Sequence, residues 1–248
     1  MLVVDSAWSL REEFLREVRS ALQRFPARTP WYPGSRARLD DAAASHESVE
    51  TFGDGRLLVT VEGDGPDAIE RTEYFAPVLG VVELDGGGDA QTFLDAAVDY
   101  ANDRLTGTLG ANVLVDPGTK KRLGGSFGEA IARLRYGGIG VNAWTGLAFL
   151  TPTATWGAFP GHTLDDAQSG IGIVHNALLI PHAERTVVTG PFRPFPRSVL
   201  GGEFALFPKP PWFVSARSAA STGRRLSDFA TAPSWLKLPG IFAAAFRA

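Results

Sequence analysis

The 248-residue sequence contains no cysteine and a single methionine. Disulfides, thiolate metal sites and thiol nucleophiles are therefore excluded within these residues. Charge of one sign is also lacking. The net charge is −3, which leaves no global footprint for nucleic acid and no acidic run that would solvate a disordered tail. No stretch approaches the roughly 18 consecutive apolar residues of a membrane span. Met1 to Asp5 lacks the basic start and long apolar run of a signal peptide, so a cytoplasmic protein is expected. The composition that remains, 44% hydrophobic and 21% charged, is ordinary for a globular chain of one large or two small domains.

The apolar residues carry a clear period. Leu2-Val3-Val4 reads as a short buried strand. Ser9, with Glu12 three residues on, has the spacing of a capping box. Leu10, Phe14, Val18, Leu22 and Phe25 then recur at helical spacing, and Pro26 is the stop. Ser35 to Ala44 predicts a second, more polar helix. Leu57 to Val61 and Val78 to Leu84 read as strands, and Gly86-Gly87-Gly88 as a turn. Asp89 can cap a helix whose apolar face is Phe93, Leu94, Ala97, Val98, Ala101 and Leu105. Thr108 to Val115 predicts a strand, and Pro117 can open a helix that Ala130, Ile131 and Leu134 continue. Gly138 to Val141 and Thr186 to Val188 are further strands, separated by an aromatic-rich loop at 143–165. Strands alternating with helices predict an α/β fold with a mainly parallel sheet and flanking helices.

The pattern changes after residue 190. Proline and aromatic residues dominate 191–248, as in Pro194-Phe195-Pro196 and Pro210-Pro211-Trp212-Phe213. The basic residues there are Arg193, Arg197, Lys209, Arg217, Arg224, Arg225, Lys237 and Arg247, against the acids Glu203 and Asp228. Residues 1–190 are read as one domain and 191–248 as an extension wrapping over it or over a partner subunit. The segment Trp235–Phe242 has the composition of a membrane-surface helix. Packing on its own protein is the expectation for it.

Generic catalytic motifs find little support. Gly124-Gly125-Ser126-Phe127-Gly128 matches a nucleophile elbow, which needs a strand directly before its serine. A helix-like stretch with Lys120, Lys121 and Arg122 stands there instead. His46, His162, His175 and His182 form no close pair, so no metal ligand set is expected. No phosphate loop and no glycine-rich dinucleotide turn after a strand occurs.

A series of weak motifs in fixed order is more specific. Thr72-Glu73-Tyr74-Phe75-Ala76-Pro77-Val78-Leu79 resembles the Glu-x-Phe-Gly-Pro-Val signature of aldehyde dehydrogenases. Ala101-Asn102-Asp103 and Leu105-Thr106-Gly107 follow, then the strand Gly110-Ala111-Asn112-Val113. Tyr136-Gly137-Gly138-Ile139-Gly140-Val141-Asn142 resembles the family's Val-Asn strand. Gln168-Ser169-Gly170-Ile171-Gly172 resembles its Ser-Gly-x-Gly turn, and Glu184-Arg185-Thr186-Val187 its final strand. The resemblance covers roughly residues 1–190.

It implies the family's catalytic-domain fold without the N-terminal dinucleotide-binding domain. It also implies NAD or NADP as cofactor of the intact enzyme. Glu73 matches the glutamate that hydrogen-bonds the nicotinamide ribose hydroxyls, a task for a carboxylate accepting two bonds. Phe75 matches the aromatic residue beside the nicotinamide ring, and Pro77 sets the turn into the strand. The 143–165 loop corresponds to the aldehyde-entry wall, where Trp144, Phe149 and Trp156 either line an apolar tunnel or pack the core.

The departures are as informative. In the family, the nucleophilic cysteine, the general base, the oxyanion asparagine and the dinucleotide fold all precede the position matching Leu2. Ala76 replaces the signature glycine, and Trp156-Gly157-Ala158-Phe159-Pro160-Gly161 replaces the usual Pro-Phe-Gly-Gly. The expectation is therefore the C-terminal portion of an NAD(P)-dependent aldehyde dehydrogenase-like oxidoreductase. Alone it is expected to have no catalytic residue, to hold no cofactor and to be inactive, since covalent aldehyde oxidation needs an activated nucleophile. Alternatives are a subunit pairing with a separate cofactor-domain chain, and a non-catalytic interaction module. Self-association through the surface that would meet the missing half is expected.

Overall fold

A computed structural model describes residues 1–25, 29–62, 68–205 and 216–247. Pro26 and the Pro210-Pro211-Trp212-Phe213 run lie outside the described residues.

The first layer contains β1 (Leu2–Asp5), α1 (Arg11–Arg24), α2 (Ser35–Ser45), β2 (Val49–Phe52), β3 (Arg56–Thr60), α3 (Ala68–Arg71) and β4 (Val78–Leu84). The strands form a sheet in the order β1-β4-β3-β2, parallel except for the β2–β3 hairpin. Alternation of side chains along β3 decides what covers each face. Leu57 and Val59 pack with Leu39 and Ala42 of α2. Leu58, between them in sequence, packs on the other face with Val4, Val81 and Leu15 of α1.

The second layer follows with α4 (Ala90–Asp103), β5 (Gly110–Val113), α5 (Pro117–Leu123), α6 (Gly125–Arg133), β6 (Gly138–Val141), α7 (Gly146–Phe149), β7 (Trp156–Gly157), β8 (Ile173–His175) and β9 (Thr186–Thr189). A parallel sheet runs β5-β6-β9, and β7 pairs antiparallel with β8. Ile139 and Val141 of β6 bury their side chains with Val98, Phe127, Ala130 and Ile131 of α4 and α6. The expected parallel sheet is thus two separate sheets, joined by α4, which contacts both β4 and α6.

In the extension, α8 (Arg197–Leu200), α9 (Ala219–Thr231), a 3-10 turn at Trp235–Lys237 and α10 (Leu238–Ala245) are described. α10 packs on α9, and Phe246 meets Phe195 at 4.9 Å between ring centroids.

Several sequence signals act as expected. Asp89 accepts the Thr92 backbone N–H at 2.9 Å, and Asp116 with Pro117 opens α5. The Ser9–Glu12 capping box does not form. Leu10, not Ser9, occupies the cap position, and its apolar side chain offers no bond; the Glu12 carboxylate pairs with Arg11 at 2.5 Å. Arg11 in turn reaches Glu83 of β4 at 2.8 Å. The polar strand β2 was not legible as a strand; it is held by its hairpin partner and by Arg19 of α1, which grips Glu50 with two nitrogens.

Candidate functional site

The segment Thr72–Pro77 connects α3 to β4 and forms one wall of a cleft of about 560 Å³. Phe75 has φ +48, a left-handed conformation that costs a bulky residue energy. Three groups hold it there. The buried Ser35 hydroxyl, at the start of α2, donates to the Phe75 carbonyl at 2.7 Å. Tyr32 stands edge-on to the Phe75 ring at 4.8 Å. The Arg38 guanidinium lies 5.7 Å from the centre of the same ring. Downstream, Leu57 donates its N–H to the Pro77 carbonyl at 2.9 Å, fastening the segment to β3.

Upstream, α3 is anchored by Glu70. Its carboxylate is fully buried and accepts from the Tyr100 hydroxyl at 2.5 Å and from Arg104 at 3.0 Å. Thr106 donates to the Glu70 carbonyl at 2.9 Å. Burying a carboxylate is costly unless hydrogen bonds and an opposite charge offset it, and both are present. Glu70 therefore ties the cleft wall to α4 and hence to the second sheet.

Glu73 and Phe75 both line the cleft, along with Trp31, Tyr32 and Met1. Glu73 is exposed, and among the described residues no hydrogen bond or ion pair engages its carboxylate. It is thus available to accept from a ligand. The lining beside it is aromatic, with Phe75 43% exposed. Ser35, Tyr32, Arg38 and Glu70 carry no motif. Their part in the cleft follows from tertiary contact between α2, α4 and the segment.

The three tunnel candidates are divided. Phe149 and Trp156 meet edge to face at 5.8 Å, and His175 lies 5.6 Å from Phe149. Trp144 lies at the other end of α7, across Gly146, where an added Cβ would sit 2.5 Å from the indole. None of the three lines the Glu73 cleft. A second cleft of about 250 Å³ is built on the Ser-Gly-x-Gly turn and includes Phe159, His162, Ile171 and His182.

The other motif residues close the architecture. The Asn142 side chain bonds both polar groups of the Val115 backbone at 2.8 Å, joining the ends of β5 and β6. Ser169 Oγ accepts the Thr108 N–H at 2.8 Å, and His162 Nε2 lies 2.6 Å from Thr108 Oγ1. Arg185 reaches the carbonyls of Ala132 and Leu134 at the end of α6. The Ser126 hydroxyl donates to the Leu123 carbonyl within a helix–turn–helix, so the nucleophile-elbow reading has no strand to stand on.

No family model and no curated protein matches the chain by sequence. Solved structures do match. The salicylaldehyde dehydrogenase of Pseudomonas putida G7, solved with salicylaldehyde, is similar over 71% of this chain and 35% of its own, with a TM-score of 0.52 at 16% identity. The γ-glutamyl-γ-aminobutyraldehyde dehydrogenase of Burkholderia cenocepacia J2315 matches over the same shares, with a TM-score of 0.51 at 20% identity. An indole-3-acetaldehyde dehydrogenase solved with NAD+ gives 0.51 at 22% identity, again over 71% of this chain and 35% of that one. The chain spans about a third of the length of the structures it matches. About 71% of this chain thus carries the fold of a portion of an aldehyde dehydrogenase.

Proposed function

We propose that these residues are the C-terminal portion of the catalytic domain of an NAD(P)-dependent aldehyde dehydrogenase-type oxidoreductase. The observation that carries the reading is the cleft. Glu73, unengaged, and Phe75, held in a strained conformation, face the same space. A bound nicotinamide nucleotide would supply the hydride acceptor. Glu73 would accept hydrogen bonds from its ribose hydroxyls, and Phe75 would pack beside the ring. Ser35, Tyr32 and Arg38 would keep Phe75 in place. The Phe149–Trp156 pair, with Trp144, is proposed as part of the wall along which the aldehyde approaches.

The nucleophile must come from elsewhere. No cysteine is present in these 248 residues, so a thiolate would be supplied by residues outside them, on the same or a separate chain. The test is aldehyde-dependent reduction of NAD(P)+, followed by absorbance. The expected result is no turnover by these residues alone and turnover when a cofactor-domain half is joined or co-expressed. In that assembly Glu73→Gln is expected to raise KM for the nucleotide about tenfold, the effect of losing charge-assisted hydrogen bonds worth about 1.5 kcal/mol. An assembly that binds no nicotinamide nucleotide overturns the reading.

A further inference from the structure

On the nicotinamide reading of the Glu73 cleft, we infer that Arg38 is a specificity-determining residue that favours the reduced nucleotide over its oxidised form. Arg38 lies on α2, one turn after Ser35, and its guanidinium stands 5.7 Å from the centre of the Phe75 ring. One of its nitrogens donates to the Pro33 carbonyl at 3.1 Å. That bond fixes the guanidinium to the loop that carries Trp31 and Tyr32, both of which line the cleft. A cation is thus held against the ring that would pack beside the nicotinamide.

Arg38 lacks a counter-ion. Its neighbour on the same helix, Arg36, is more exposed and pairs with Asp40 at 3.6 Å. Arg38 is half-buried, and among the described residues no carboxylate pairs with it. Its partners are a neutral carbonyl and an aromatic ring. A guanidinium keeps its proton at any ordinary pH, so the charge is permanent. A partly buried cation with neutral partners keeps its field, because no carboxylate cancels it and water reaches it only in part.

The oxidised nicotinamide ring carries a positive charge, and the reduced ring carries none. A fixed cation on Phe75 therefore raises the energy of the bound oxidised form and leaves that of the reduced form unchanged. Glu73 acts with the opposite sign, as the one charged side chain among the described residues that line the cleft. Its carboxylate is read as bonding the ribose, whereas Arg38 bears on the ring through Phe75. Two unit charges on either side of an aromatic ring near a protein surface interact strongly enough for about a threefold discrimination.

The experiment measures dissociation constants of the oxidised and the reduced nucleotide by titration calorimetry, with the full 248-residue chain joined to a cofactor-domain half. The pair used is the one the parent assembly binds, NAD+ with NADH or NADP+ with NADPH. Arg38→Met keeps an apolar stem over Phe75 and removes the charge. It should tighten the oxidised form relative to the reduced one about threefold at low salt. Arg38→Gln, which keeps a donor for the Pro33 carbonyl, should give the same shift. Arg38→Lys, which keeps the charge, should leave the ratio at the parent's value. Raising the salt should shrink the difference between parent and Arg38→Met, as expected for a half-exposed charge. A role in packing alone would change both constants by one factor. A ratio unmoved or reversed in Arg38→Met and Arg38→Gln therefore overturns the inference while the oxidoreductase reading stands. A parent assembly that binds neither form overturns that reading, and the inference with it.

Discussion

The two parallel sheets bury their strands by different means. In the first, side chains meet side chains on both faces: Leu57 and Val59 under α2, Leu58 under α1. In the second, only one face is packed that way. β6 reads Gly138-Ile139-Gly140-Val141, and Ile139 and Val141 point into the α4–α6 core. The glycines turn to the other face, where backbone approaches backbone. A Cβ on Gly140 would sit 2.2 Å from the Ala143 carbonyl oxygen. Trp156 covers Gly138 from the same side, 3.1 Å from where its Cβ would be. The edge strands β5 and β9 alternate between exposed and half-buried residues, as expected of a sheet with one packed face. One sheet therefore depends on apolar volume, the other on the absence of volume.

That contrast can be broken at named positions. The largest effect is expected for Leu58→Ala, which opens a cavity between β3 and α1 at a side chain only 1% exposed. About 4 kcal/mol of unfolding free energy should be lost in a denaturant titration. Gly140→Ala should cost about 3 kcal/mol by adding one methyl group, since backbone and not a flexible side chain stands in its way. A Gly140→Ala protein as stable as the parent would erase the distinction between the two sheets. Glu70→Gln tests the join between them. It leaves Tyr100 and Arg104 around a neutral amide and should cost about 2 kcal/mol, measured by the same titration.

Asp116→Ala removes the cap of α5 and should cost about 1 kcal/mol at neutral pH. The sign of its pH dependence is set by its partners. A hydrogen bond from the Thr119 side chain, then those from the Thr119 and Gly118 backbone N–H groups, hold the Asp116 carboxyl below its ordinary 3.8. A depressed carboxyl stabilises the fold above pH about 4 and loses that contribution as pH falls through the folded value. The difference in melting temperature between parent and Asp116→Ala should therefore shrink on acidification. The smallest effect, under about 0.5 kcal/mol, is expected for Val187→Ala on β9, where the side chain is 44% exposed.

Legibility from sequence followed the range of the interaction. β4 was bounded correctly at both ends, because a seven-residue run of mostly Val, Leu and Gly has no competing use. Asp89 and Asp116 were readable as caps, because a cap bonds within three residues. The Ser9–Glu12 box had the right spacing, but Leu10 takes the cap position and Glu12 pairs with Arg11, itself drawn to Glu83 across the sheet. β2 was missed because Val49-Glu50-Thr51-Phe52 draws its stability from β3 and from Arg19. In the cleft, the motif points to Glu73 and Phe75, and both line it. No motif points to the residues that position them, since Ser35 and Glu70 look like ordinary surface helix residues until α2 and α4 close over them.

The sequence by itself determined the elements and the chemistry that is missing. Periodicity places strands and helices, because burial of one face is a local rule, and the lack of cysteine removes the thiolate from these residues whatever their fold. Only the tertiary structure decided that the strands divide into two sheets, that Phe75 is held at φ +48, and that Trp235 and Leu236 remain outside. The reason is the same in each case. These outcomes depend on contacts between segments tens of residues apart, and no local pattern encodes which of several apolar or polar groups will find its partner first.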